Sequence, residues 1–519
     1  MAARLARDLP PALRCPLSDE AARAQILHQL ATRERRFLDV IRRAVYGNPR
    51  SPYLALLRHA GIAFGDIARL VERDGVEGTL QVLAEAGVYV TYDEFRGRTQ
   101  AVRGSQRFTF RQTDFDNPLV RPHLIRYTGG SSGRPSRIGY SLAYLRERAA
   151  TVATILETHG IERPVHAFWQ PAPFVQSVIC AMLGQPTLGW FYPLHPLPVL
   201  PRLAARYLAL VGWLGGHRFA LPSRNDLDDP ERLLDWLAPR LHRDRPIVLW
   251  TMSSAAARLG HAASLAGRSL DGLACMVSGE PLTERRRHQI EASGARVIVG
   301  YGANEMSGLS SSCTTPIAPD DVHLMSDRFA AIQRPRAVSD DGLVVDSLSF
   351  SLLTPAATKI AINAELGDSA RVEQRDCGCL LGQIGMRTHL SEIRSFEKFT
   401  GEGVTFVRSN LEQILDTVLP SEFGGTGFDY QLAEEEAPDG TTRTVLRVGP
   451  NVGTIDEELV RARLIEEIGK GNAQNGYHVR MWQQAGTLVI RRDRPIPTRG
   501  GKVLPFHLLG RADADRRVE

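Results

Sequence analysis

The chain has 519 residues, enough for one large domain and a smaller one, each with its own core. Hydrophobic residues make up 43% and charged residues 23%, and 63 basic against 58 acidic residues leave a net charge of only +5, scattered as arginine without a basic tract. That distribution argues against a nucleic-acid partner, and six cysteines in so long a chain argue against a disulfide framework and for a cytoplasmic location.

Residues 1–25 mix Arg4, Arg7, Asp8 and Arg14 with prolines and have no apolar core, so no secretory signal is expected. Apolar positions recur every three or four residues over 21–83, predicting helices with a break at 47–52. Short strands are predicted at 88–91 and 107–110, and a helix at 141–159. Strands and helices then alternate. Residues 164–169, 246–250, 273–277 and 296–299 read as buried strands, and 231–238, 253–266 and 283–292 as helices. Such alternation predicts an α/β fold with a mostly parallel sheet and function at the strand ends. The aromatic, proline-rich stretch 188–201 walls a pocket or packs between layers. The most apolar segment, 207–216, is too short to span a bilayer; behind Arg202 and Arg206 it reads as a buried helix, with a membrane-surface role as the lesser alternative. In the last quarter, Thr454 and Glu457 form a capping-box pattern before a helix carrying Leu459, Leu464 and Ile468, between strands at 444–448 and 487–491. This predicts a small C-terminal α+β unit.

The chemistry-bearing stretches begin with Thr128-Gly129-Gly130-Ser131-Ser132-Gly133-Arg134-Pro135. Its backbone N–H groups and hydroxyls suit a polyphosphate, yet it has neither the Gly-Lys-Ser/Thr end of a Walker loop nor the G-x-G-x-x-G spacing, and such turns are commonly plain connectors. The same letters spell the G-x-S-x-G elbow of a triad hydrolase around Ser131. That elbow needs a helix directly behind the serine, whereas Pro135 biases Arg134 away from helical geometry.

Four later stretches supply what a bound nucleotide needs. Ser278-Gly279-Glu280 ends an apolar run and lets backbone approach a flat ligand. In Tyr301-Gly302-Ala303-Asn304-Glu305 a tyrosine can stack on a base, and the carboxylate can hold Mg2+. Asp368 can take two ribose hydroxyls. Lys502 follows a glycine turn near the C-terminus. Each taken alone is an ordinary turn, cap or solvated charge.

Their order resembles the adenylate-forming, AMP-binding enzymes, specifically the phenylacetate–CoA ligase branch. The resemblance runs from about Tyr53 to Leu508. It implies a large N-terminal adenylate-forming domain, mostly parallel sheets flanked by helices, plus a small C-terminal α+β domain on a hinge. The implied divisions are a helical N-terminal part at 1–120, an AMP-binding core at 121–394 and a mobile small domain at 395–519. Thr128, Gly129, Gly130, Ser131, Ser132 and Gly133 would hold the phosphates; Ser278, Gly279, Glu280, Tyr301, Gly302, Asn304, Asp368 and Arg394 would hold the rest of the nucleotide. Glu305 would bind Mg2+ and act in catalysis with Lys502. Ser136 stands where many relatives carry lysine, Asn304 replaces the usual threonine, and Phe396-Glu397 replaces paired hinge aspartates.

Independently, Cys313, His323 and Cys377-Gly378-Cys379 offer three thiolates and an imidazole, a complete tetrahedral set for structural Zn2+. Buried cysteines and a surface histidine are the plain alternative. The implied function is ATP-dependent activation of an aromatic or fatty carboxylic acid to an acyl-adenylate, then transfer to coenzyme A. Transfer to a carrier-protein thiol, an acyl-protein or an amine is the alternative. A non-catalytic nucleotide-binding relative is the third, disfavoured by the joint retention of Glu305, Asp368 and Lys502.

Overall fold

In the computed structural model of the protein the described residues are 1–127, 137–193, 199–227, 229–280, 282–303, 306–337, 344–395, 400–401, 404–405, 411–436, 442–470, 488–497 and 503–508. Helices fill most of the first hundred residues, as the three-to-four spacing requires. Between 88 and 91 only an isolated bridge forms, Val90 to Ala364, and the predicted strand at 107–110 is a short hairpin, Gln106–Phe108 against Ala101–Arg103.

Six strands build a parallel half-sheet: β1 (Val165–Trp169), β2 (Thr187–Tyr192), β3 (Pro222–Arg224), β4 (Ile247–Thr251), β5 (Leu273–Ser278) and β6 (Arg296–Tyr301). Their order is β6-β5-β4-β1-β2-β3, every pair parallel. β1 and β4 are buried along their whole length, which is why they read as unbroken apolar runs rather than alternating ones. Helices Phe174–Met182, Val199–Leu214, Pro230–Leu237, Ser253–Leu265 and Glu284–Ala292 make the crossovers. Capping is local and legible: Ser141 Oγ accepts from Tyr144 N, and Thr283 Oγ1 from Arg286 N. The chain runs outward from β1 to β3, then returns to the other side of β1 with β4. This places a topological switch point between β1 and β4, where open α/β sheets bind ligands beyond the carboxyl ends of the strands.

An antiparallel half extends the sheet to 12 strands. It comprises β7 (Ser310–Ser312), β8 (Val322–Leu324), β9 (Phe329–Ala337), β10 (Val344–Leu352), β11 (Ala364–Gln374) and β12 (Thr388–Ser395), in the order β9-β10-β11-β12-β8-β7 up to β6. None of these strands was expected from apolar pattern, because β7 and β10 are rich in buried serine.

The C-terminal unit has its own four-stranded sheet and its own core. β13 (Tyr430–Glu436), β14 (Thr442–Val448), β15 (Leu488–Arg492) and β16 (Phe506–Leu508) lie in the order β15-β14-β13-β16. Leu432, Leu446, Leu464, Ile468 and Phe506 pack together beneath helix Glu457–Gly469. That helix is capped by Asp456, whose carboxylate accepts from Glu458 N and Leu459 N, and not by the expected Thr454. Leu459 faces solvent, since the helix starts two residues later than the capping-box pattern implied.

Candidate active site and metal centre

The carboxyl ends of β5 and β6 carry two of the expected stretches. Gly279, just past β5, has φ +88°, a conformation that glycine adopts without strain, and it turns the chain so that Glu280 points inward. The Glu280 carboxylate is buried and fully engaged: Oε2 accepts from Ser254 N at 2.9 Å and Oε1 from Val503 N at 2.9 Å. Ser254 begins a helix, so the carboxylate also sits in the favourable field of a helix N-terminus. Glu280 is therefore a brace between the large sheet and the C-terminal unit, while Ser278 stays exposed at the strand end.

Val503 directly follows Lys502 in the sequence. The same seam holds Asp416, which pairs with Arg286 at 3.2 Å and accepts from Thr283 Oγ1 at 3.0 Å. Arg394, at the end of β12, reaches Asp320 at 3.2 Å and Glu412 at 3.8 Å. Sequence reasoning missed Asp320 and Asp416, because carboxylates scattered in sequence give no local signal.

Tyr301, the last residue of β6, donates a 2.8 Å hydrogen bond to Oδ2 of Asp368 on β11. Burial first, then the Asp368 charge, raises the phenol well above its ordinary pKa, so it remains a donor. Asp368 registers with Ser395 of β12, and its neighbour Ser369 with Arg394, so Arg394 lies on the opposite face of the sheet from Asp368. Gly302 follows, close enough to Met306 O and Leu309 that a Cβ would press on both. The loop beyond is clamped from below. Tyr144 donates to Ser307 O at 3.0 Å, Arg148 to Ser307 Oγ at 3.0 Å, and Arg328 to Gly308 O at 3.3 Å. Thr128, Gly129, Gly130, Ser131, Ser132, Gly133, Asn304, Glu305 and Lys502 lie outside the described residues. Phe168 and Trp169 are fully buried in the core, and Phe174 packs edge-on to Trp190.

A second centre gathers on β7, β8, β12 and the turn after β11. Cys379 Sγ lies 3.2 Å from His323 Nε2 and 3.3 Å from Cys377 Sγ; Cys377 Sγ lies 3.6 Å from the same nitrogen. Tetrahedral zinc with its usual bond lengths sets such ligand pairs about 3.6–3.8 Å apart, so the donors already stand near ligating distance. Cys313 joins them: Cys379, then His323, pull its thiol down to about 2, while Cys379 shifts upward. His323 Nδ1 donates to Met386 O at 2.6 Å, which leaves Nε2 unprotonated and aimed at the sulfurs. A fifth donor went unread in the sequence. His389 stands opposite His323 in the β8–β12 register, and its ligand atom lies within 4.8 Å of those of Cys313, His323 and Cys377. Asp321 holds its Nδ1 at 2.8 Å, and its buried Nε2 makes no hydrogen bond. An orphaned imidazole nitrogen beside two sulfurs and a second imidazole fits a soft divalent cation.

No protein-family model and no curated protein matches the chain. Among solved structures, 2-hydroxyisobutyryl-CoA ligase in the postadenylation state, in complex with 2-HIB-AMP, aligns over 96% of this chain and 91% of its own, with a TM-score of 0.52 at 16% identity. The fold is that of the adenylate-forming ligases. O-succinylbenzoate coenzyme A synthetase from Bacillus subtilis aligns at a TM-score of 0.42 and 11% identity over 73% of this chain and 68% of its own. An anthranilate CoA ligase aligns at a TM-score of 0.40 and 12% identity over 73% of this chain and 65% of its own.

Proposed function

We propose that this chain is an AMP-forming acid–thiol ligase that activates a carboxylic acid with ATP and passes the acyl group to coenzyme A. The observation that carries the proposal is the Tyr301–Asp368 pair at the carboxyl end of β6, on a fold shared with a ligase holding an acyl-adenylate. Tyr301 would stack on adenine, Asp368 would accept the ribose hydroxyls, and the loop 128–133 would hold the β- and γ-phosphates. Glu305 would hold Mg2+, which neutralises charge on the phosphates when bound.

In the first half-reaction the substrate carboxylate attacks the α-phosphorus and pyrophosphate leaves. Two anions must approach, and Lys502 would stabilise the charge that builds on the α-phosphate. The seam of Glu280, Asp416 and Arg394 supports this role, because it ties the C-terminal unit, at Val503, to the carboxyl end of β5. In the second half-reaction a thiol attacks the acyl carbon, AMP leaves, and the 395–519 unit would swing away about the 394–397 segment from the 1–394 body. The Cys313, His323, Cys377 and Cys379 set, with His389 adjoining, would hold a structural zinc that ties β7 and β8 to the turn after Asp368.

Carboxylate-dependent ATP–pyrophosphate exchange over a panel of aromatic, fatty and short hydroxy acids tests the first step, and AMP release with and without coenzyme A tests the second. Exchange without CoA-dependent turnover would assign the acceptor to a carrier-protein thiol or an amine. Absence of exchange with every acid would overturn the proposal.

A further inference from the structure

The crossover helix Val199–Leu214 presents an apolar face outward. Its inner side is ordinary: Ala205, Leu208, Val211 and Gly212 are buried. Its outer side carries Val199, Leu200, Leu203, Leu210, Trp213 and Leu214, all exposed, with Leu200 at 79% and Trp213 at 66%. At 100° per residue, Val199, Leu203, Leu210 and Leu214 fall in one stripe about 60° wide, with Trp213 at its edge and the exposed Arg206 between Trp213 and Val199. Leaving six large apolar side chains wet on one helix is costly, and such patches mark contact surfaces.

The charge around this face has one sign. Residues 199–221 contain Arg202, Arg206 and Arg218 and no acidic residue, and Arg14 donates to Leu214 O at 3.0 Å, adding a cation at the helix end. The connection emerges at the sheet edge, where β3 has no further neighbour, into a cleft of about 490 Å³ lined by Leu188, Trp190, Phe191, Leu221, Arg224 and Trp236. Apolar surface, a wet tryptophan and long arginines, Arg206 within the stripe and Arg202 at its edge, able to reach outward to phosphates, are the composition of a helix lying in a lipid interface.

We propose that this face docks the protein on an anionic membrane surface, with the helix lying parallel to it, Leu203, Leu210 and Trp213 inserted at the acyl boundary, and Arg202, Arg206 and Arg218 on lipid phosphates. Charge selects this occupant over a second copy of the chain: a two-fold contact would set the arginines of both copies against each other around the same patch. Membrane docking does not depend on which acid or acceptor the enzyme uses.

Co-sedimentation of the full chain with vesicles of phosphatidylcholine, with and without phosphatidylglycerol, tests the proposal. Binding is expected with phosphatidylglycerol and weakens as salt rises. Each of R202Q and R206Q should weaken it about fivefold. The double variant L210S/W213S should lose it by at least about tenfold while keeping the wild-type melting temperature, because both side chains project into solvent. No sedimentation with anionic vesicles at low salt, or unchanged binding by the double variant, would overturn the proposal. So would a concentration-dependent dimer abolished by L210S/W213S, which would assign the face to a second copy.

Discussion

The hydroxyl of Tyr301, on the last residue of a parallel strand, donates a 2.8 Å hydrogen bond to Asp368, 67 residues away on an antiparallel strand. The bond crosses between the two halves of the sheet and fixes the carboxylate that the proposed function assigns to ribose. A hydrogen bond to a charged group is worth about 1.5–3 kcal/mol. Y301F is therefore expected to raise the KM for ATP about tenfold with a smaller change in kcat, and D368A to do so more severely. Steady-state kinetics of the two single variants and the double check this: the effects should fall well short of additive, since both remove one interaction.

Lys502 and Glu280 lend themselves to separation of the two half-reactions. K502A should nearly abolish pyrophosphate exchange while leaving thioester formation from a supplied acyl-adenylate largely intact. E280Q acts one step removed. A glutamine amide at that position cannot accept from both Ser254 N and Val503 N, leaving a buried donor unpaired at a cost of about 1–3 kcal/mol. Exchange should slow by roughly fivefold to a hundredfold, again with the second step spared. Equal loss of both steps in either variant would mean that the residue serves the fold at large.

For the metal centre, elemental analysis of the purified protein should find one zinc per chain. C377S should lower zinc content and melting temperature together. H389A tests the unexpected fifth donor: retention of zinc would assign the ion to Cys313, His323, Cys377 and Cys379, and loss would place His389 among the ligands. A zinc-free wild-type protein would end this assignment.

The parts that were legible in the sequence are those where local pattern and tertiary role coincide. β1, β4, β5 and β6 read correctly because strands buried on both faces are unbroken apolar runs. The antiparallel half did not, since Ser347, Ser349 and Ser351 are buried on β10 and look polar in sequence. Helix Val199–Leu214 misled for the opposite reason. It is apolar on both sides, so hydropathy places it in the core while the fold leaves one side wet. Tyr301, Asp368 and the cysteines could be picked out by type and order. His389 could not, and the bracing role of Glu280 was not foreseen although the residue was named, because these roles come from a strand register and a contact spanning 223 residues.

His166 supplies a pH test independent of the chemistry. It is buried on β1, its Nε2 lies 2.7 Å from Gln185 Oε1, and Trp250 Nε1 donates to its Nδ1 at 3.1 Å. Burial, the largest cause, lowers its pKa from 6.5 to about 4 despite the Gln185 bond. The folded state thus resists a proton that the unfolded chain accepts. Its contribution is fully present above pH 6.5, declines as the pH falls below that value, and is lost by about pH 4. A shift of that size corresponds to about 3 kcal/mol. Urea unfolding measured from pH 8 down to 4 should therefore show a steeper loss of stability in the wild type than in H166Q, with the two curves converging toward acid. Parallel curves would show that His166 takes up a proton as readily in the folded state as in the unfolded chain.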